Sequence, residues 1–192
     1  MGSSGPQWWG TWPNRITTVR AAGTAVMLLV TLAMLTTGAH PSRVATVALV
    51  GLCCEVLDGV DGSVARRLGQ ATAYGARFDM EVDAAMVMVL SLALVASGVA
   101  GGWVLLIGGW RYGYVLAARI VPALRRPLPY RYSRKVIAAA VALSQVAALL
   151  LTLTPAQPAF PTVILVAALG VLTWSFVRDI VWQLGNRDLT GT

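Results

Sequence analysis

Long apolar runs separated by short polar or charged segments set the plan of this chain. A helix needs about 20 mostly apolar residues to cross the hydrocarbon core of a bilayer. Residues 21–39 carry no charge and predict a first span. The run "RVATVALVGLCCEVL", from Arg43, predicts a second that leads into an acidic stretch. Residues 84–110 are uncharged but contain "SGVAGG" at 97–102. A glycine-rich break there divides the region into a third span, about 79–97, and a fourth, about 102–121. Residues 136–154 predict a fifth, "TPAQPAFP" at 154–161 a turn, and 162–182 a sixth. The expected fold class is an all-α integral membrane protein with six transmembrane helices. It forms one domain over 1–192, and residues 1–19 are an interfacial segment anchored by tryptophans at 8, 9 and 12.

Composition fits this reading: 57% of residues are hydrophobic and 12% charged, far from a soluble domain. The net charge of +7 raises nucleic acid as a partner. Position argues against it, because the basic residues lie between apolar runs and read as topology signals and anion ligands. With the N-terminus inside, 13 of the 15 basic residues fall on the cytoplasmic side; Arg43 is external and Arg111 lies within a span. Six spans bring both termini to that side, which places the protein in the cell membrane with its acidic stretch facing the cytoplasm. The segment "MGSSGPQWWGTWPNR" lacks a basic region followed by a short apolar core, so no signal peptide is expected. Cys53 and Cys54 are adjacent and read as small hydrophobes, with no disulfide or metal role. The lone His40 reads as structural.

The acidic residues carry the chemistry. The chain has eight, and six of them (Glu55, Asp58, Asp61, Asp79, Glu81 and Asp83) fall between positions 55 and 83. Asp58 and Asp61 are three apart and share a helix face, which Gly62 and Ala65 continue. Asp79 and Asp83 are four apart and share another, with Gly75 one turn earlier. Two helix ends can thus aim four carboxylates at one point. Such a cluster repels itself unless neutralised. Oxygen-only ligands point to a hard divalent cation, Mg²⁺ or Mn²⁺, in one or two copies. Gly59, Gly62, Ala65 and Gly75 leave bare backbone for a phosphate-bearing ligand, and Arg66 offers a planar fork to its oxygens. Taken singly, acidic residues at helix ends are usually solvated and small residues usually serve helix packing. Together they describe a site for a nucleoside diphosphate at the membrane surface.

The stretch "DGVDGSVARRLGQATAYGARFDMEVD" at 58–83 resembles the signature of the CDP-alcohol phosphotransferase family. The eight matching positions are Asp58, Asp61, Gly62, Ala65, Arg66, Gly75, Asp79 and Asp83. The resemblance implies a six-helix membrane enzyme, usually a homodimer, that uses CDP-diacylglycerol and releases CMP. By resemblance, Asp58, Asp61, Asp79 and Asp83 bind metal. Asp83 is also the general base on the acceptor hydroxyl, and Gly62, Ala65, Arg66 and Gly75 contact the CDP moiety.

Two further stretches bear on the acceptor. "PNRITTVR" at 13–20 looks like the opening segment of bacterial phosphatidylglycerophosphate synthases, and Arg111 and Arg119 are similar to a pair of arginines on their fourth helix. Eight residues rise about 12 Å along a helix, so both can line one cavity at different depths. "RKVIAAAVALSQ" at 134–145 is loosely similar to a further basic segment of that branch. The chain departs from the pattern at Tyr112, where a Glu is expected, and at Ile137-Ala138, where a Lys-Thr pair is. The neighbouring branch of phosphatidylinositol-phosphate synthases also takes a phosphorylated acceptor and uses basic residues on the fourth and sixth helices. The expected acceptor is therefore a phosphorylated polyol, glycerol-3-phosphate first and inositol-1-phosphate second, held by Arg111, Arg119 and Arg178. Arg125, Arg126 and Arg131 read as topology signals. Two other classes compete: a metal-dependent membrane phosphatase, which releases free phosphate, and a cation transporter, whose ion site belongs nearer the midplane.

Overall fold

A computed structural model of the chain describes the backbone of residues 12–68, 73–125, 132–155 and 159–185, and the side chains of 16–59, 75–125, 132–155 and 159–185. The described residues form six α-helices and two short 3₁₀ turns. The helices are α1 (Trp12–Thr37), α2 (Pro41–Leu68), α3 (Ala73–Ala96), α4 (Leu105–Ile120), α5 (Tyr132–Leu151) and α6 (Ala159–Gly185). The six apolar runs thus correspond to six helices, but their ends differ from the sequence expectation. α1 begins well before residue 21, because Arg15 and Arg20 end an apolar run without ending a helix. α3 likewise reaches back to Ala73, through the acidic stretch. The expected turn at 154–161 is shorter than supposed: Ala159 to Pro161 already belong to α6, where proline in the first turn lacks only an N–H that had no partner.

Two glycines end helices by adopting a left-handed conformation that a side chain resists. Gly38 (φ 89°) closes α1, its N–H donating to the Met34 carbonyl at 3.0 Å. Gly98 (φ 75°) closes α3 inside the expected glycine-rich break. His40 sits in the α1–α2 turn, its ring nitrogen 2.9 Å from the Ser42 hydroxyl.

α3 lies at the centre, packed against α1, α2, α4 and α5, while α6 closes the bundle on α5 and α4. The core is built by side chains that recur every three or four residues. On α3 these are Met86, Val89, Leu90, Ala93 and Leu94; on α1, Met27 and Met34; Val47, Ile107, Leu149 and Leu165 complete it. Buried Thr24 and Thr31 on α1 satisfy their hydroxyls on carbonyls four residues back. Gln145 of α5 donates to the Ser91 hydroxyl of α3 at 2.7 Å, a polar tie inside the core. Gly108 lets α4 approach α3 closely: a Cβ there would lie 2.6 Å from Met88 Cα.

The outer surface is apolar. Leu28, Leu29, Leu32 and Leu35 of α1 and Val163, Val166, Val171, Val177 and Val181 of α6 are exposed. Helices that are apolar both inward and outward belong in lipid. Among the described residues, three helical stretches are long and apolar enough to cross a membrane by length and composition: Ile16–Thr37, Tyr132–Leu151 and Ala159–Gly185. α2 and α3 carry the acidic stretch, and α4 has 16 residues. Cys53 and Cys54 are free thiols; Cys54 is buried, as expected of a small hydrophobe, whereas Cys53 is exposed on the outer surface of α2.

Candidate functional site

The site forms where α1, α2, α3 and α5 meet. α3 presents Asp79 and Asp83 one turn apart, and α2 brings Asp58 to them. One oxygen from each of these three carboxylates lies within 4.8 Å of the others. The side chains of Asp58, Asp79 and Asp83 keep 18%, 35% and 44% of their surface exposed, so the cluster is sheltered but reachable. Oxygens bound to one Mg²⁺ at about 2.1 Å sit roughly 3 to 4 Å apart. The three oxygens therefore lie within reach of a single hard cation. The all-oxygen donor set fits Mg²⁺ or Mn²⁺ rather than a metal that prefers sulfur or imidazole.

Two cations from other helices meet the triad. Arg20 of α1 is fully buried. Its Nη1 donates to Oδ1 of Asp58 at 2.9 Å and to Oδ1 of Asp79 at 2.6 Å, and its Nη2 donates to Oδ1 of Asp83. Lys135 at the start of α5 places Nζ 3.9 Å from Oδ2 of Asp58. Neither residue was singled out from the sequence as a site residue. Arg20 closes the segment PNRITTVR and Lys135 lies in RKVIAAAVALSQ, two stretches that bore on the branch of the family rather than on the acidic cluster. The signal for Arg20 was present: Thr17, Arg20, Thr24, Met27, Thr31 and Met34 recur every three or four residues and are all buried.

Arg134, the neighbour of Lys135 on α5, belongs to a basic cluster around one buried carboxylate. Asp179 of α6 is 7% exposed. Arg134 of α5 approaches it at 2.7 Å through Nε, and Arg178 lies 3.7 Å from its other oxygen. Arg178 also packs over the Trp174 ring at 4.7 Å. Its Nε and Nη2 are buried without a hydrogen-bond partner among the described residues. Asp179 lies far along the chain from the acidic stretch, so nothing in its spacing marked it.

The remaining expected residues fall as follows. Gly75 lies at the start of α3, one turn before Asp79. Gly62, Ala65 and Arg66 continue α2 beyond Asp58, as does Asp61; the side chains of all four lie outside the described ones. Arg111 donates to Glu81 at 2.5 Å, so α4 and α3 are tied by an ion pair that spacing alone did not show. Arg119 is exposed in the last turn of α4, and its carbonyl accepts from Arg125 at 2.7 Å. Further along, Trp110 stacks on Phe176 with centroids 5.5 Å apart, and Tyr114 donates to Gln183 at 2.8 Å. These contacts hold α4 to α6 and position the helix that carries Asp179.

The family model for CDP-alcohol phosphatidyltransferases matches residues 10–177. The chain belongs to the CDP-alcohol phosphatidyltransferase family. No curated protein matches it. Membership makes the chain an enzyme that moves a phosphatidyl group from a CDP-alcohol to an alcohol. The family is generally metal-dependent, and the triad is the donor set such chemistry needs. The match runs from the start of α1 into α6, so every helix that contributes to the site lies within or overlaps it.

Proposed function

We propose that this phosphatidyltransferase uses CDP-diacylglycerol as donor and a phosphorylated polyol as acceptor, in phospholipid biosynthesis. Glycerol-3-phosphate is the first candidate and inositol-1-phosphate the second. The observation that carries the reading is the junction of the Asp58–Asp79–Asp83 triad with cations from α5: Lys135 reaches Asp58, and its neighbour Arg134 joins Arg178 at Asp179. A carboxylate cluster suits the metal-bound diphosphate of the donor. A basic wall beside it suits a second anion, the acceptor's phosphate.

Asp58, Asp61, Asp79 and Asp83 hold one or two Mg²⁺ or Mn²⁺ ions. When bound, these supply positive charge to the diphosphate and to the leaving CMP. Gly62, Ala65, Arg66 and Gly75 receive the CDP moiety. Asp83 takes the proton from the acceptor hydroxyl as its oxygen attacks the phosphorus and the bond to CMP breaks. Arg178, with Arg134 and Lys135, orients the acceptor's phosphate; Arg111 and Arg119 of α4 complete the proposed set. The trapped nitrogens of Arg178 support this role, since a buried donor without a partner gains most from an incoming anion.

The same reading extends to the setting. All six helices embed in the cell membrane, both termini and the site face the cytoplasm, and residues 1–192 form one domain that pairs as a homodimer. Support comes from the charge pattern and the apolar outer surface. The test is direct: incubate purified protein with CDP-diacylglycerol and Mg²⁺ against glycerol-3-phosphate, inositol-1-phosphate, free inositol and serine, then identify the lipid product. Preference for an uncharged acceptor would refute the phosphorylated-polyol assignment.

A further inference from the structure

Arg20 is an unusual residue to find where it is. It lies inside the apolar stretch Ile16–Thr37, is wholly buried, and belongs to the core-facing stripe of α1. A buried guanidinium is tolerated only when paired. Here the pairing is confined to the fork, since Nε has no hydrogen-bond partner among the described residues. The fork contacts the Oδ1 atoms of Asp58, Asp79 and Asp83. These same three carboxylates come from two other helices and form the candidate metal centre. Three carboxylates this close repel, and Lys135 reaches only the edge of the group, at Asp58.

We propose that Arg20 is the built-in counter-cation of the site: it holds the three carboxylates together without metal, and a divalent ion displaces its fork. The inference rests on the metal-dependent reading above. A cation bound about 2.1 Å from these oxygens needs the space between them. Nη1 stands within 3 Å of two of them, at 2.9 and 2.6 Å. A unit charge and a divalent ion also repel strongly at such separations. The fork and the ion are therefore alternative occupants. An ion that must displace a tethered cation binds with its affinity reduced by the fraction of time the oxygens are free. Removing Arg20 should then tighten metal binding while weakening the metal-free fold. An arginine that merely braced the carboxylates from outside would give the opposite sign for metal affinity.

The experiment uses the full chain in detergent without substrates. Free Mn²⁺ is followed by electron paramagnetic resonance during titration, and thermal unfolding is recorded in chelator and in saturating Mn²⁺. Arg20→Gln should lower the Mn²⁺ Kd by about tenfold or more, the equivalent of about 1.4 kcal/mol. In chelator its Tm should fall by at least about 5 °C, and saturating Mn²⁺ should narrow the gap. Arg20→Lys should lie between the two, because a point charge cannot bridge three carboxylates as a fork does. For wild type, Mg²⁺ should shift the Arg20 Nε–H resonance, a readout that needs no variant to fold. Equal or weaker Mn²⁺ binding by Arg20→Gln, or an Arg20 resonance that ignores Mg²⁺, overturns the inference and leaves the metal site standing. Absence of Mn²⁺ binding in both wild type and variant overturns the metal reading and this inference with it.

Discussion

Gly108→Ala tests whether the close contact of α3 and α4 supports the site. The new methyl carbon would lie 2.6 Å from Met88 Cα and 3.1 Å from Met88 N and Cβ. Carbon atoms prefer about 3.5–4.0 Å, so the helices must part by about 1 Å. Overpacking of this kind costs about 1–3 kcal/mol. Alanine's better helix propensity offsets up to about 1 kcal/mol of that. With the full offset, the net loss of up to about 2 kcal/mol corresponds to a Tm decrease of up to about 8 °C for a chain of this size. The displaced helix is the one that carries Asp79 and Asp83. A 1 Å error at catalytic groups can lower rate by about 10²-fold, so kcat should fall more than stability alone would require. Gly170→Ala is the control: it makes the same chemical change on α6, where nothing lies within 4 Å of the added carbon. Its Tm should be unchanged or slightly raised. The assays are tryptophan-fluorescence unfolding, with seven tryptophans as reporters, and CMP release. A Tm for Gly108→Ala at or above that of Gly170→Ala would show that α3 and α4 do not meet as described.

Three other outcomes are expected. Excess chelator should abolish CMP release and added Mg²⁺ or Mn²⁺ should restore it; full release in chelator would remove the metal from the reaction. Asp83→Asn should still bind CDP-diacylglycerol but transfer about 10²–10⁴-fold more slowly, having lost its proton acceptor; near-normal turnover would reassign the base. Arg178→Ala and Arg119→Ala should each raise the acceptor KM and leave donor affinity nearly unchanged, with Lys recovering only part of the effect; an unaltered acceptor KM would exclude that arginine from the phosphate site.

What the sequence disclosed follows from where its physics is local. Apolar runs gave six helices because burial in lipid or core is written along the chain. Their ends were less legible, since Arg20 and Asp79 interrupt hydrophobicity without interrupting helical hydrogen bonding. The Asp79–Asp83 face was visible because one turn of helix brings i and i+4 together whatever surrounds it. That Asp58 joins them depends on how α2 packs against its neighbours; spacing offered only that two helix ends can converge, and the signature implied that they do. The positions of Arg20 and Lys135 are tertiary facts. Asp179 gave less warning still, because its partner Arg134 is 45 residues away on another helix.

The charges at the site also constrain the order of events. Among the described ion pairs of the site, Asp58, Asp79 and Asp83 present three negative charges, while Arg20 and Lys135 return two positive ones. What remains is net negative, and a diphosphate approaching it is repelled at short range. Arg134 and Arg178 pair with Asp179 rather than with the triad, and Asp179 already offsets part of their charge. An arrangement tuned to bind a diphosphate without help would have placed cations where the carboxylates are. Carboxylates in that position make sense only if divalent charge arrives before the donor or together with it. On the proposed reading the acceptor's phosphate, by contrast, has cations of the chain's own waiting for it. On that reading the two anions meet different kinds of positive charge, one borrowed and one built in. Donor binding should depend on divalent ion, while recognition of the acceptor's phosphate should depend on the arginines.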